Sequence, residues 1–104
     1  MRPKYLTKGI QERIPLDLQI LMWQMYDRCQ EEMEKTDDLH VFESKSLEGN
    51  RLNQEIVHKQ ESPEYERTYV VEVNPSITEK IYIIENDSDT KDETYVMMLL
   101  AEDY

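Results

Sequence analysis

The chain carries one strong helical pattern, at residues 15–35, and patterns typical of strands almost everywhere after it. Pro15 suits the first helical position, where its missing N–H costs no hydrogen bond. Asp17 places a negative charge in the first turn, where the helix dipole favours it. The apolar side chains that follow at helical spacing define one broad face for burial: Leu18, Leu21, Met22, Met25, Tyr26, Cys29 and Met33.

Five segments after residue 38 are rich in Val, Ile, Tyr and Thr, which favour strands. The turns between them are too short for parallel crossovers, so neighbours are expected to pair antiparallel. Residues 4–7 offer a further short strand. We therefore expect one α+β domain over residues 1–104, with one long helix packed on a mostly antiparallel, meander-like sheet of about five strands. The predicted strands are 39–47, 54–61, 65–74, 80–85 and 94–101.

The composition excludes several kinds of site. Two glycines, Gly9 and Gly49, cannot form a phosphate-binding loop or a dinucleotide fingerprint. The lone Cys29 excludes an internal disulfide framework and a cysteine-rich zinc site, and its place on the apolar helix face predicts a buried thiol. The N-terminus lacks the apolar segment of a signal peptide, and the longest apolar run, Val96–Ala101, is far shorter than the ~20 residues of a spanning helix. We expect a cytoplasmic protein with no membrane contact and no cofactor.

The net charge of −11 is unevenly distributed. Residues 1–30 carry five basic and three acidic side chains, whereas residues 31–104 carry seven basic and 20 acidic ones. This excess repels nucleic-acid phosphates, so direct nucleic-acid binding is not expected. It either favours a basic protein partner or serves solubility alone. The densest acidic run offers four candidate contact residues: Asp87, Asp89, Asp92 and Glu93.

A second apolar stripe, formed by Leu16, Ile20 and Trp23, lies about 100–160° around the helix from the main face. Two alternatives account for it. Either it is covered, by the N-terminal segment with Tyr5, Leu6 and Ile10 or because the helix lies in a deep groove, or it forms an interface with another protein or with a second copy of the chain. Tryptophan is common at the energetic centre of interfaces, so these three residues join the candidate interface.

The two histidines, His40 and His58, face each other if a hairpin centred on Gly49 pairs positions that sum to 98. Glu43 and Glu55 would then project from the opposite face and could not complete a metal site. Zinc needs three or four well-placed ligands, and only two can be placed. We therefore expect no metal site and interpret the pair as cross-strand packing at the surface.

No pattern indicates catalysis. The serines lack a nucleophile-elbow context, and a small two-layer domain leaves little room for a substrate pocket. The acidic loop departs from a calcium-binding loop, since Lys91 and Asp92 occupy its fifth and sixth positions. We therefore expect a protein that is not an enzyme.

Six segments share a pattern with a known family. They are Tyr-Leu-Thr-Lys-Gly-Ile (5–10), Ile-Pro-Leu-Asp-Leu-Gln (14–19), Met-Trp-Gln-Met-Tyr-Asp (22–27), Leu-His-Val-Phe-Glu (39–43), Val-His-Lys-Gln-Glu-Ser-Pro-Glu-Tyr (57–65) and Met-Leu-Leu-Ala-Glu-Asp-Tyr (98–104). Together they resemble domain-of-unknown-function family 960, small proteins of Gram-positive bacteria that are often carried on mobile elements. The resemblance covers nearly the whole chain. It implies an origin in a mobile element and assigns no catalytic role, because the family has no established activity.

Two hypotheses follow. The first is a small acidic protein-binding module, in its sharpest form a mobile-element inhibitor whose carboxylates imitate nucleic-acid phosphates and occupy the basic groove of a host nuclease. The alternative is a homodimeric structural or accessory domain that associates through Leu16, Ile20 and Trp23. A small-molecule enzyme would require a pocket near His40 and His58.

Overall fold

The computed structural model describes residues 3–87 and 94–104, and this part of the chain contains two α-helices and six strands. The long predicted helix is present but ends at Glu32, three residues earlier than expected, where Met33 takes extended backbone angles. All five predicted strands are present, with bounds that differ by at most three residues. In chain order the elements are β1 Lys4–Leu6, α1 Lys8–Arg13, α2 Leu16–Glu32, β2 Leu39–Ser46, β3 Gln54–Gln60, β4 Tyr65–Val71, β5 Glu79–Asp87 and β6 Thr94–Leu100, followed by a 3₁₀ turn at Ala101–Asp103.

The sheet confirms the α+β class but corrects its predicted form. It has six strands in the order β1-β6-β5-β2-β3-β4, and it is mixed, because β1 pairs parallel to β6 with Tyr5 opposite Met97. The argument from short connections applied only to sequence neighbours, and it holds for β2–β3, β3–β4 and β5–β6. It could not exclude a parallel pair between segments that lie far apart in the chain.

The sheet is also not a meander, because β5 leaves β4 and pairs with β2 instead. Strands β2 to β5 thus have the spatial order of a Greek key. Two side-chain amides hold the connection between β4 and β5 where it crosses the sheet. Gln54 donates to the Ile77 carbonyl (3.0 Å) and accepts from the Ile77 N–H (2.7 Å), and Asn53 bonds both backbone groups of Val73 at 2.7 and 2.9 Å. These amides replace the backbone partners that a β4–β5 hairpin would have supplied.

The short helix α1 was not predicted from the sequence. Thr7 caps it by accepting from the Ile10 N–H at 3.4 Å, and Ile10 is fully buried. Gly9 brings this helix close to β6, since a Cβ at Gly9 would lie 2.9 Å from Leu100 Cδ1. A helix of six residues with an internal glycine gives too weak a periodic signal to be predicted.

The hydrophobic core joins the inner face of α2, helix α1 and one face of the sheet. Leu18, Met22, Met25, Tyr26 and Cys29 are buried as predicted for the helix face. The opposite sheet face is partly exposed and mixes apolar and charged side chains, with Val41 between Lys59 and Tyr82 in the strand register.

Within residues 3–87 and 94–104, neither helix combines the length and the apolar character needed to cross a membrane.

Candidate functional site

Three polar side chains meet inside the core: Cys29, His40 and His58, here called the Cys–His–His cluster. Each has no exposed surface, and one potential ligand atom from each lies within 4.8 Å of the others. Cys29 projects from the buried face of α2, and the histidines project from the inward face of the adjacent strands β2 and β3.

The strand register explains how the histidines meet. The structure pairs Phe42 with His58, so paired positions sum to 100 rather than to 98 as expected. A shift of two leaves every side chain on its predicted face. His40 and His58 are therefore diagonal neighbours, with His40 Nδ1 and His58 Nε2 2.9 Å apart. The prediction that the two histidines pack at the surface was wrong, because both rings are buried.

Aromatic rings surround the two imidazoles. Tyr26 packs edge-on against His40, with ring centroids 4.9 Å apart, and Tyr65 packs against His58 at 5.3 Å. Phe42 stacks on His58 at 4.2 Å with an interplanar angle of 15°. These rings fix both imidazole planes and keep water from them.

Each of the two tyrosines also donates to a carboxylate at the border of the core. Tyr26 donates to Glu85, and Tyr65 donates to Glu32 Oε2 at 3.2 Å. Burial and nearby negative charge raise the pKa of Tyr65 to about 12, so it keeps the proton that it donates. The cluster therefore has one tyrosine–glutamate pair beside each histidine.

Burial keeps His58 and Cys29 uncharged at neutral pH. Desolvation, with a smaller contribution from His40, lowers the pKa of His58 to about 3. Desolvation, followed by the charge of Glu32, raises the pKa of Cys29 to about 11. The thiol is 3.8 Å from Gln60 Oε1, whereas His58 Nδ1 is buried without a hydrogen-bond partner among the described residues.

The candidate interface on α2 is partly covered. Leu16 is 66% exposed and Ile20 is 48% exposed. Trp23 is half-buried, because it packs against Tyr26 and lies under the Lys4 ammonium group, which is 5.5 Å from the ring centroid. The covering expected from the N-terminal segment thus reaches Trp23 and leaves the two aliphatic residues open.

Of the four acidic candidates, the structure describes only the backbone of Asp87. The backbone of Asp87 ends strand β5 opposite Thr94. Asp89, Asp92 and Glu93 fall outside the described residues, so their part in an interface stays a prediction.

The sequence placed Cys29 on the buried face of the helix but did not predict that it lies beside the two histidines. The available signal was alternation, since His40 and Phe42 share one face of β2, and Ile56 and His58 share one face of β3. Both patterns place the histidines on the inward face, toward the helix.

Comparisons with known proteins address the family and the fold. The structure is similar to a crystal structure described as that of a protein of unknown function from Enterococcus faecalis, with a TM-score of 0.72 and 18% identity over 99% of this chain and 91% of that chain. At this identity the likeness shows a shared fold alone. A comparison with curated proteins found no match. The model of family DUF960, described as a staphylococcal protein of unknown function, matches residues 3–103, and the chain therefore belongs to this family.

Proposed function

We propose that this protein is a non-enzymatic protein-binding module that docks through Leu16 and Ile20. The observation that carries the proposal is the exposure of these two aliphatic side chains, 66% and 48%, one turn apart on α2. Amphipathic helices commonly insert residues at this spacing into an apolar groove of a partner. Half-buried Trp23, three residues after Ile20, extends the apolar surface toward the core.

The burial of the chemically reactive side chains supports a role without catalysis. Cys29, His40 and His58 are the residue types that most often act as nucleophile or base, and none has exposed surface. A substrate in solvent therefore has no direct route to them.

The charge of the chain supports a basic partner. The net charge is −11, and exposed Asp17 lies on the same helix as Leu16 and Ile20, whereas Asp27 on that helix is paired with Lys4 Nζ at 3.1 Å. A partner with an apolar groove and a basic rim fits this surface, and attraction between opposite charges would speed association. The most specific form of the proposal is a mobile-element inhibitor that occupies the basic groove of a nuclease.

A double variant, Leu16→Asp with Ile20→Asp, tests the contact. Leu52→Asp is the matched control, because Leu52 is 49% exposed in the β2–β3 connection, outside α2. Tagged proteins are used to capture partners from host lysate at low and high salt, with identification by mass spectrometry. We expect the wild type and the control to retain a partner that the double variant loses.

Capture of the same partner by the double variant would exclude this helix surface as the contact. Light scattering decides the alternative of a homodimer: a wild-type dimer that becomes monomeric in the double variant, with no other protein captured, would favour a structural or accessory domain. Loss of the captured partner at high salt would support the basic partner.

A further inference from the structure

The Cys–His–His cluster approaches the geometry of a tetrahedral zinc site. With Zn–N distances of ~2.0–2.1 Å and a Zn–S distance of ~2.3 Å, ligand atoms on one zinc ion lie roughly 3.3–3.8 Å apart. One ligand atom from each of Cys29, His40 and His58 lies within 4.8 Å of the others, and two imidazole nitrogens are 2.9 Å apart. Small side-chain rotations would open the nitrogen pair and bring the sulfur closer. We propose that Cys29, His40 and His58 bind one zinc ion inside the core.

The donor set selects this class of metal. A thiolate with imidazoles favours zinc over magnesium or calcium, which prefer oxygen ligands. Metal ligation requires neutral imidazoles and a deprotonated thiol. The sequence offered only carboxylates as a third ligand, Glu43 and Glu55, and both lie on strands whose histidines face the other way. Helix α2 supplies Cys29 instead.

A buried atom without a partner is the second observation. His58 is fully buried and its Nδ1 makes no hydrogen bond to the described residues. Such an atom loses its hydration without compensation, and native cores contain few of them. Coordination through Nδ1 of His58 would give this atom a strong partner that the described side chains do not provide.

The groups around the cluster suit a cation. Zinc with one thiolate and two neutral imidazoles carries a net charge of +1, which is costly to bury alone. Glu32 and Glu85 each accept a hydrogen bond from a tyrosine packed on a histidine. These carboxylates would balance the charge and hold the surrounding rings in place.

The side-chain oxygen of Gln60 would be the fourth ligand. This Oε1 atom lies 3.8 Å from the Cys29 sulfur, and the residue is 3% exposed. The same oxygen accepts from the Asp37 N–H at 3.0 Å, and the amide nitrogen donates to the Pro63 carbonyl at 2.7 Å. The amide is therefore held with its oxygen toward the thiol.

The test loads metal during folding, because no ligand is exposed. The full chain is unfolded in guanidinium chloride with a chelator and a reductant and refolded with one equivalent of Co²⁺ or Zn²⁺. We expect Co²⁺ to give the visible bands of tetrahedral cobalt and a near-ultraviolet thiolate charge-transfer band. One equivalent of Zn²⁺ should remove both signals and raise the melting temperature of the protein.

Cys29→Ala should lose the charge-transfer band and weaken metal binding by more than about 100-fold. Ser44→Ala is the control, since Ser44 is a buried polar residue on the same face of β2 as His40, outside the cluster. It should bind like the wild type. Absence of both cobalt signals in folded wild-type protein, shown by circular dichroism, would overturn the proposal. Equal binding by Cys29→Ala would also overturn it, because the metal would then sit on surface carboxylates.

Discussion

The two halves of the sheet bury very different side chains on the same side of the molecule. On β5 and β6 the described residues buried on the side of the helices are apolar: Ile81, Ile83, Val96, Met98 and Leu100. On β2 and β3 most of the buried residues are polar: His40, Ser44, Gln54, His58 and Gln60, beside Phe42 and Ile56.

This difference separates the residues that stabilise the fold from the residues that suit a binding role. Apolar burial stabilises the fold in proportion to the area removed from water. A buried polar group stabilises little even when it is paired, and it destabilises when it is not. Gln54 and Gln60 have their partners, whereas Ser44 Oγ and His58 Nδ1 have none among the described residues. The polar half of the sheet, on β2 and β3, is therefore where a metal-binding role should be sought.

The largest expected effect is in the apolar half. Ile83→Ala should lower the free energy of unfolding by about 2–5 kcal/mol, because Ile83 is fully buried and the change leaves a cavity. Denaturant unfolding measures it. Ile20→Ala is the matched control, since Ile20 is 48% exposed, and it should cost well under 1 kcal/mol. Equal losses would mean that the apolar half contributes no special stability.

In the polar half, Gln54→Ala should cost about 2–3 kcal/mol. Its amide bonds backbone groups of Lys45, Glu55 and Ile77, and their loss leaves buried groups unsatisfied. The same unfolding measurement applies, with exposed Gln24→Ala as a control that should change little. A neutral result for Gln54→Ala would show that the connection between β4 and β5 does not depend on this amide.

His58 predicts a dependence on pH in the metal-free chain. The pKa of His58 is about 3 when folded, below its ordinary value of 6.5, so the unfolded chain binds the extra proton between these values. Stability is then complete above pH 6.5 and falls with decreasing pH, by about 2 kcal/mol between pH 6.5 and pH 5. His58→Leu should reduce this slope. A slope that is unchanged in the variant would assign the pH dependence to other groups.

The smallest effect is expected at Ser44. Its hydroxyl is buried without a partner among the described residues, so Ser44→Ala removes an uncompensated polar atom. The free energy of unfolding should stay within about 1 kcal/mol of the wild type, with an increase rather than a decrease. A clear loss of stability would reveal a hydrogen bond that matters at this hydroxyl.

The sequence predicted what depends on local pattern. Helical spacing located α2 and its buried face with Cys29, and segments rich in Val, Ile, Tyr and Thr between turn signals located five strands. Long-range arrangement was not predictable in the same way. The pairing of β1 with β6 and the return of β5 to β2 depend on contacts between distant segments, and a three-residue strand has no periodic signal.

The same distinction between local pattern and long-range arrangement applies to the candidate site. Each member of the Cys–His–His cluster could be placed on an inward face from its own element. Their meeting needed the docking angle of α2 and a strand register that differs by two from the expected one. Helical geometry placed Leu16 and Ile20 on a second stripe but left open whether that stripe is covered, and the cover over Trp23 came from Lys4, which lies in a different element.

The parallel pairing of β1 with β6 sets an order for folding. Tyr5 lies opposite Met97, about 90 residues away, and the Thr7 N–H bonds the Met98 carbonyl at 3.1 Å. During synthesis β1 has no partner until β6 has emerged, and contacts between such distant segments slow folding. Strand β1 is thus among the last to be fixed, and until it pairs the edge of β6 is open to another chain.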